Sequence, residues 1–95
     1  MYARVTTFHA DPARLDEMVA TIEGLKADVK AIAGVVEVYS AWRADGHGVT
    51  TAIYESQEAA EASTPQVQAI WGGLVGYLTA PPQATTFENV EHLTG

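Results

Sequence analysis

The run from Val35 to Trp42 constrains the fold most, because it is apolar on both sides of an extended chain. Along a strand, Val35, Tyr39 and Ala41 point one way and Val36, Val38 and Trp42 the other, since successive side chains alternate. A half-solvated strand would alternate apolar with polar residues, so this one is expected to be covered on both faces. A second β-branched run, Val49 to Tyr54, follows the connection Arg43-Ala44-Asp45-Gly46-His47-Gly48. The glycines can supply the positive φ of a hairpin turn, so Gly34 to Glu55 is expected to form a β-hairpin.

Tyr2 to His9 predicts a first strand, with Ala3, Val5 and Thr7 on one face and Tyr2, Arg4, Thr6 and Phe8 on the other. Asp11 stands where an N-cap belongs, and Pro12 at the first helical position, where its missing N–H costs nothing. Leu15, Met18, Val19, Ile22, Leu25, Val29 and Ile32 recur every three or four residues. They draw one apolar stripe down a helix from about Pro12 to Ala33, which Gly34 would end in a left-handed conformation. Ser56 caps a second helical region that opens with Gln57 to Ala62 and breaks at Thr64-Pro65. It resumes through Val67, Ile70, Trp71, Leu74, Val75 and Leu78 until Pro81-Pro82, and a last strand covers about Gln83 to Val90.

This order, β-α-β-β-α-β, is that of the α+β ferredoxin-like split βαβ sandwich, four antiparallel strands with both helices on one face. The other face is left bare. It is expected to carry one apolar side of the Val35–Trp42 strand, together with Arg4 and Thr6 looking away from the helices. Exposed apolar patches of several hundred Å² mark interfaces. Two such sheets packed face to face in a two-fold homodimer would bury both patches.

Composition narrows the function. The 95 residues are expected to form a single domain, 1–95, and an apolar fraction of 47% suits a globular chain. The absence of cysteine excludes disulfides, zinc–thiolate sites and thiol nucleophiles. A net charge of −7 spread along the chain argues against nucleic acid as a partner. No run approaches bilayer-spanning length and no basic leader precedes an apolar core, so no membrane partner is expected and the location is expected to be cytoplasmic.

No His, Asp or Glu pair stands at helical ligand spacing and no glycine-rich phosphate loop occurs, so neither a metal nor a cofactor is expected. His9 could act as a general base near neutral pH, but spacing places no acid or nucleophile beside it; His47 and His92 are expected in solvent. Gly72-Gly73 would allow a close approach or a kink. Trp71 suits either a core position or a stacking wall for a planar ligand. Tyr77 could border the helix or send its hydroxyl into a cavity. Arg4 calls for a partner, Glu37 or Glu88, or else an anionic ligand, because an unpaired buried charge is costly.

Three pieces of punctuation carry a resemblance: the strand leading into Asp11-Pro12, Gly34-Val35-Val36 opening the second strand, and Tyr54-Glu55-Ser56-Gln57-Glu58-Ala59-Ala60. Through them the chain resembles, over nearly its whole length, the dimeric α/β-barrel superfamily and its antibiotic-biosynthesis-monooxygenase-like domains. The resemblance implies a homodimeric barrel with a pocket in each protomer between the sheet and the second helix. Some members oxidise aromatic polyketides without metal or flavin, others degrade haem, and others have no known reaction. In the quinone-forming members a tryptophan and a tyrosine six positions later belong to the pocket; Trp71 and Tyr77 match that spacing, while Val67 replaces an asparagine one turn earlier. Haem-degrading members place an asparagine where this chain has Thr6 and a histidine on the second helical region, which here has none, so haem is disfavoured.

Two functions follow. The first is a small homodimeric protein that binds a small apolar or aromatic molecule, with Arg4, Thr6, Trp71 and Tyr77 as the binding residues and no assigned catalytic residue. The alternative is a cofactor-independent monooxygenase acting on a phenolic, polyketide-like aromatic.

Overall fold

The computed structural model describes all 95 residues. Its elements are β1 (Tyr2–His9), a 3-10 turn (Pro12–Arg14), α1 (Leu15–Lys30), β2 (Val35–Trp42) and β3 (His47–Tyr54). These are followed by α2 (Gln57–Ala62), α3 (Thr64–Gly72), a second 3-10 turn (Val75–Tyr77) and β4 (Gln83–Phe87). The four strands form one antiparallel sheet in the order β2-β3-β1-β4, the ferredoxin-like arrangement expected from the element order. No helix is long and apolar enough to cross a membrane.

The helix ends differ from the periodicity in instructive ways. Asp11 caps as anticipated, its Oδ1 accepting from the Ala13 N–H at 3.0 Å, yet the first turn is 3-10 and α1 proper starts at Leu15. At the other end the chain leaves α1 at Lys30 and reaches Gly34, whose φ is 79°. A Cβ there would stand 2.5 Å from the Ala59 Cβ, so the chain can pass α2 at that point only as glycine. The second helical region breaks at Ser63, and Pro65 falls in the first turn of α3, where its missing N–H costs no intrahelical bond. It then stops at Gly72 instead of running to Leu78. Gly72-Gly73 therefore end a helix rather than kink one, and a Cβ on Gly72 would meet nothing. β4 likewise ends at Phe87.

Face assignment is the main correction. In the register, Arg4 faces Ala52, Thr6 faces Thr50 and Phe8 faces Gly48, and all lie on the side covered by the helices. Arg4 and Thr6 therefore look toward α2 and α3, not away from them. Alternation fixes which residues share a face but not which face the helices take; the aromatic anchors Tyr2 and Phe8 decide that. A bulge between Val35 and Glu37 makes a second change. It turns Val35 onto the helix side opposite Tyr54, away from the side that Tyr39 and Ala41 occupy.

The bare face consequently carries Ala3, Val5, Val49, Ile53, Tyr39, Ala41 and Phe87, interspersed with Thr7, Glu37, Thr51, Gln83 and Thr85. Tyr39 is 69% and Phe87 48% exposed. Beneath the helices the core is divided. One cluster joins Tyr2, Ile32, Tyr54 and Ala60; the other joins Phe8, Ala10, Met18 and Leu74. Met18 is only 2% exposed and anchors α1 in the second cluster. Met18→Ala is expected to lower the free energy of unfolding by about 2–4 kcal/mol. Urea titration would show a lower midpoint with an unchanged slope.

Candidate functional site

The helix side of the sheet is built in rows set by strand register. Phe8, Gly48 and Trp42 make one row, Thr6, Thr50 and Ser40 the next, then Arg4, Ala52 and Val38, and finally Tyr2, Tyr54 and Val35. Gly48 leaves room for the Phe8 ring, since a Cβ there would lie 2.2 Å from it. Between these rows and helices α1 and α3 lies a cavity of about 660 Å³. It separates the two core clusters and is bordered by members of both, so it occupies the place where a continuous core would run. Its volume falls within the roughly 300–1,000 Å³ of small-molecule sites.

The walls are apolar: Ile22 and Val29 from α1, Val67, Ile70 and Trp71 from α3, and Val38 and Trp42 from β2. Trp71 tilts against Phe8, with ring centroids 5.8 Å apart and planes at 58°. The floor is where polarity gathers. The Ser40 and Thr50 hydroxyls are hydrogen-bonded at 2.9 Å, and Thr6 follows in the same row. Thr6 is 5% exposed and takes part in no side-chain hydrogen bond, yet no buried polar atom in the chain is left unpartnered. Its hydroxyl therefore keeps contact with the cavity.

Arg4 sits at the far end of this floor. It donates from Nη1 to the Tyr54 hydroxyl at 2.9 Å and from Nη2 to the Ala60 carbonyl at 3.2 Å. That carbonyl belongs to the last turn of α2 and also accepts from the Ser63 hydroxyl at 2.8 Å. The guanidinium carbon stands 5.3 Å from the centre of the Tyr54 ring. The ion pairs of the chain are Arg14–Glu17, Lys26–Glu23, Arg43–Asp45 and His47–Asp45, and Arg4 is in none of them. Glu37, set opposite Ile53 in the register, makes no ion pair with it. Glu88 lies beyond the end of β4.

Arg4, Thr6 and Trp71 thus border one cavity. Tyr77 does not reach it. Its hydroxyl lies 2.8 Å from that of Thr21 and its ring lies under the Arg14 guanidinium, 4.6 Å from centroid to carbon. It ties the 3-10 turn to α1. His9 also stays outside. Its Nδ1 is 2.7 Å from the Thr79 hydroxyl, its Nε2 is 3.2 Å from the Asp45 carbonyl, and its ring stacks on His47. The carboxyl of Asp45 is held below its usual pKa, chiefly by the hydrogen bond from the His47 N–H, in a solvent-exposed turn remote from the cavity. No group of three or more histidine and acidic side chains converges anywhere in the fold.

Three floor residues were not singled out by sequence: Tyr54, Thr50 and Ser40. A signal existed for two of them. Ser40 is a polar residue within an otherwise apolar stretch of strand, and hairpin register sets Thr50 opposite it.

No protein-family model matches the chain, and no curated protein matches it by sequence. Solved structures do. A monooxygenase from the gene ActVA-Orf6 of Streptomyces coelicolor, in complex with the ligand nanaomycin D, superposes with a TM-score of 0.76 at 22% identity, covering 97% of this chain and 89% of that one. Rv0793 from Mycobacterium tuberculosis gives 0.74 at 18% identity, covering 97% of both chains. An antibiotic biosynthesis monooxygenase gives 0.76 at 10% identity, covering 96% of this chain and 100% of that one. Likeness at such low identity is likeness of architecture, and the chain has the fold of the antibiotic-biosynthesis-monooxygenase-like domains.

Proposed function

We propose that this protein is a homodimer, each copy of which binds a small, flat, apolar or aromatic molecule in the cavity between the sheet and the helices. The observation that carries the reading is the divided core. A 95-residue chain that leaves about 660 Å³ open between its two core clusters loses packing it could have had, which a bound ligand would restore. The polar row on an otherwise apolar floor would fix orientation, the usual division of labour in such sites.

The dimer is argued from area. Only 12 of the 95 residues are buried, and the chain exposes 6011 Å². A folded monomer of 10.1 kDa is expected to expose about 5,300 Å². The excess of about 700 Å² leaves surface to be covered, and a standard interface takes ~800 Å² from each partner.

A specific observation favours a second reading, a monooxygenase that needs no metal or flavin. The Streptomyces coelicolor neighbour is a monooxygenase solved with nanaomycin D. An apolar cavity with hydrogen-bond donors on its floor would hold a phenol-derived anion in a dry setting. The overall change would be a phenol and dioxygen giving a quinone and water.

One titration tests both readings. A naphthol should raise the melting temperature of the wild-type protein, and Trp71→Ala should weaken its binding roughly tenfold, about 1.4 kcal/mol. Recovery of the naphthol unchanged supports binding alone. Oxygen uptake that Trp71→Ala abolishes supports the enzyme. If no naphthol shifts the melting temperature, the cavity is not the site.

A further inference from the structure

The geometry points to an anionic ligand: a flat aromatic carrying a carboxylate, its oxyanion held by Arg4, Tyr54 and Thr6. This rests on the cavity being the binding site and names the chemistry that the site selects.

Arg4 is half-buried and its partners are both neutral, a phenol oxygen and a backbone carbonyl. A guanidinium has five N–H donors, so most of this fork is still available. Tyr54, 1% exposed, accepts from Arg4, and its own O–H donates to no group of the chain. The cation beside it strengthens that O–H as a donor. Thr6 adds a hydroxyl one step along the same face of β1. Three side chains with donors to spare therefore gather at one end of an apolar cavity, and no carboxylate joins them.

The charge distribution says the same on a larger scale. The chain has five lysine and arginine residues and twelve acidic ones. Three of the five cations, Arg4, Lys26 and Lys30, border this cavity, against only two of the twelve acids, Glu23 and Glu37. Glu23 is already paired with Lys26 at 2.8 Å, and Lys30 is in no ion pair. In a protein of net charge −7 the cations are thus gathered around one cavity, where a local positive field would draw an anion past an otherwise repelling surface. A neutral ligand would desolvate Arg4 without compensating it, and a cationic one would meet the guanidinium and no carboxylate on the floor. A planar oxyanion matches the guanidinium fork and accepts from the tyrosine as well.

The test compares two probes of one shape, 2-naphthoate and 2-naphthamide, by isothermal titration calorimetry. The wild-type protein should bind the naphthoate roughly tenfold more tightly or better, as charge-assisted hydrogen bonds require. Arg4→Gln should abolish that preference and leave affinity for the amide nearly unchanged. Should Arg4→Gln fail to fold, Thr6→Val keeps the shape of the floor and should weaken the naphthoate severalfold while sparing the amide. Equal affinity of the wild-type protein for both probes would overturn the inference while leaving the cavity as a site for neutral aromatics. A preference left undiminished by Arg4→Gln or by Thr6→Val would remove that residue from the role. Failure of both probes to bind would overturn the cavity reading and this inference with it.

Discussion

Val5→Asp is expected to turn the proposed homodimer into a folded monomer. Val5 lies at the middle of the bare face, between Thr51 of β3 and Thr85 of β4, with Ile53, Val49, Tyr39 and Phe87 around it. In an isolated chain the new carboxylate would be solvated at a partly exposed strand position, at a cost of ~1 kcal/mol or less. In a two-fold interface it would be buried twice, near its own symmetry mate, with no cation on that face to pair with it. Removing unpaired charges from water costs several kcal/mol each, so the dissociation constant should rise by about a thousandfold or more. Sedimentation equilibrium would show the change in mass, and far-UV circular dichroism should show the sheet intact. A wild-type protein sedimenting as a folded monomer at micromolar concentration would remove the interface altogether.

Gly46→Ala is expected to destabilise the fold itself. Gly46 sits in the β2–β3 turn with φ of 94°, where a side chain is strained, and it is buried. A Cβ there would lie 2.0 Å from the carbonyl oxygen of Ala10. The obstacle is backbone, and it cannot swing aside, because the Ala10 N–H donates to the Gly46 carbonyl at 2.8 Å. This hydrogen bond docks the hairpin tip against the end of β1, so relieving the clash means giving up the dock. The combined loss is about 3 kcal/mol or more, a large part of the ~5–15 kcal/mol total of a typical domain. Denaturant titration should show a lower midpoint, and Gly24→Ala, where a Cβ would meet nothing within 4 Å of a helix face, should show none of this loss. If Gly46→Ala were as stable as the wild type, the docked turn would be wrong.

Much of the chain was legible in its residues, because local rules govern them. The α1 stripe, the Asp11 and Ser56 caps and the left-handed Gly34 all stand where spacing and side-chain chemistry put them. The element order then carried the sheet order, since few topologies satisfy short antiparallel connections. Trp71 falls on the cavity wall because its stripe is helical through Ile70 and on to Gly72.

Tyr77 shows where local rules stop. Its spacing from Trp71 has a fixed meaning only along an unbroken helix, and α3 ends at Gly72, after which a 3-10 turn carries the tyrosine to Thr21 and Arg14. The bulge after Val35 moved that residue to the other side of the sheet, because one extra residue shifts a period of two.

The sequence alone determined which residues of each strand share a face, the bulged Val35 apart, where the caps stand, and that one side of the sheet is left over, since these depend on a period of two and on capping chemistry. Only the tertiary structure decided which face the helices cover. With that choice Arg4 changed from a residue of the bare face to the cation on a cavity floor, held by the Tyr54 hydroxyl and the end of α2. The reason is physical: alternation is symmetric between the two faces of a strand, and only packing against Tyr2, Phe8, Tyr54 and Met18 breaks that symmetry.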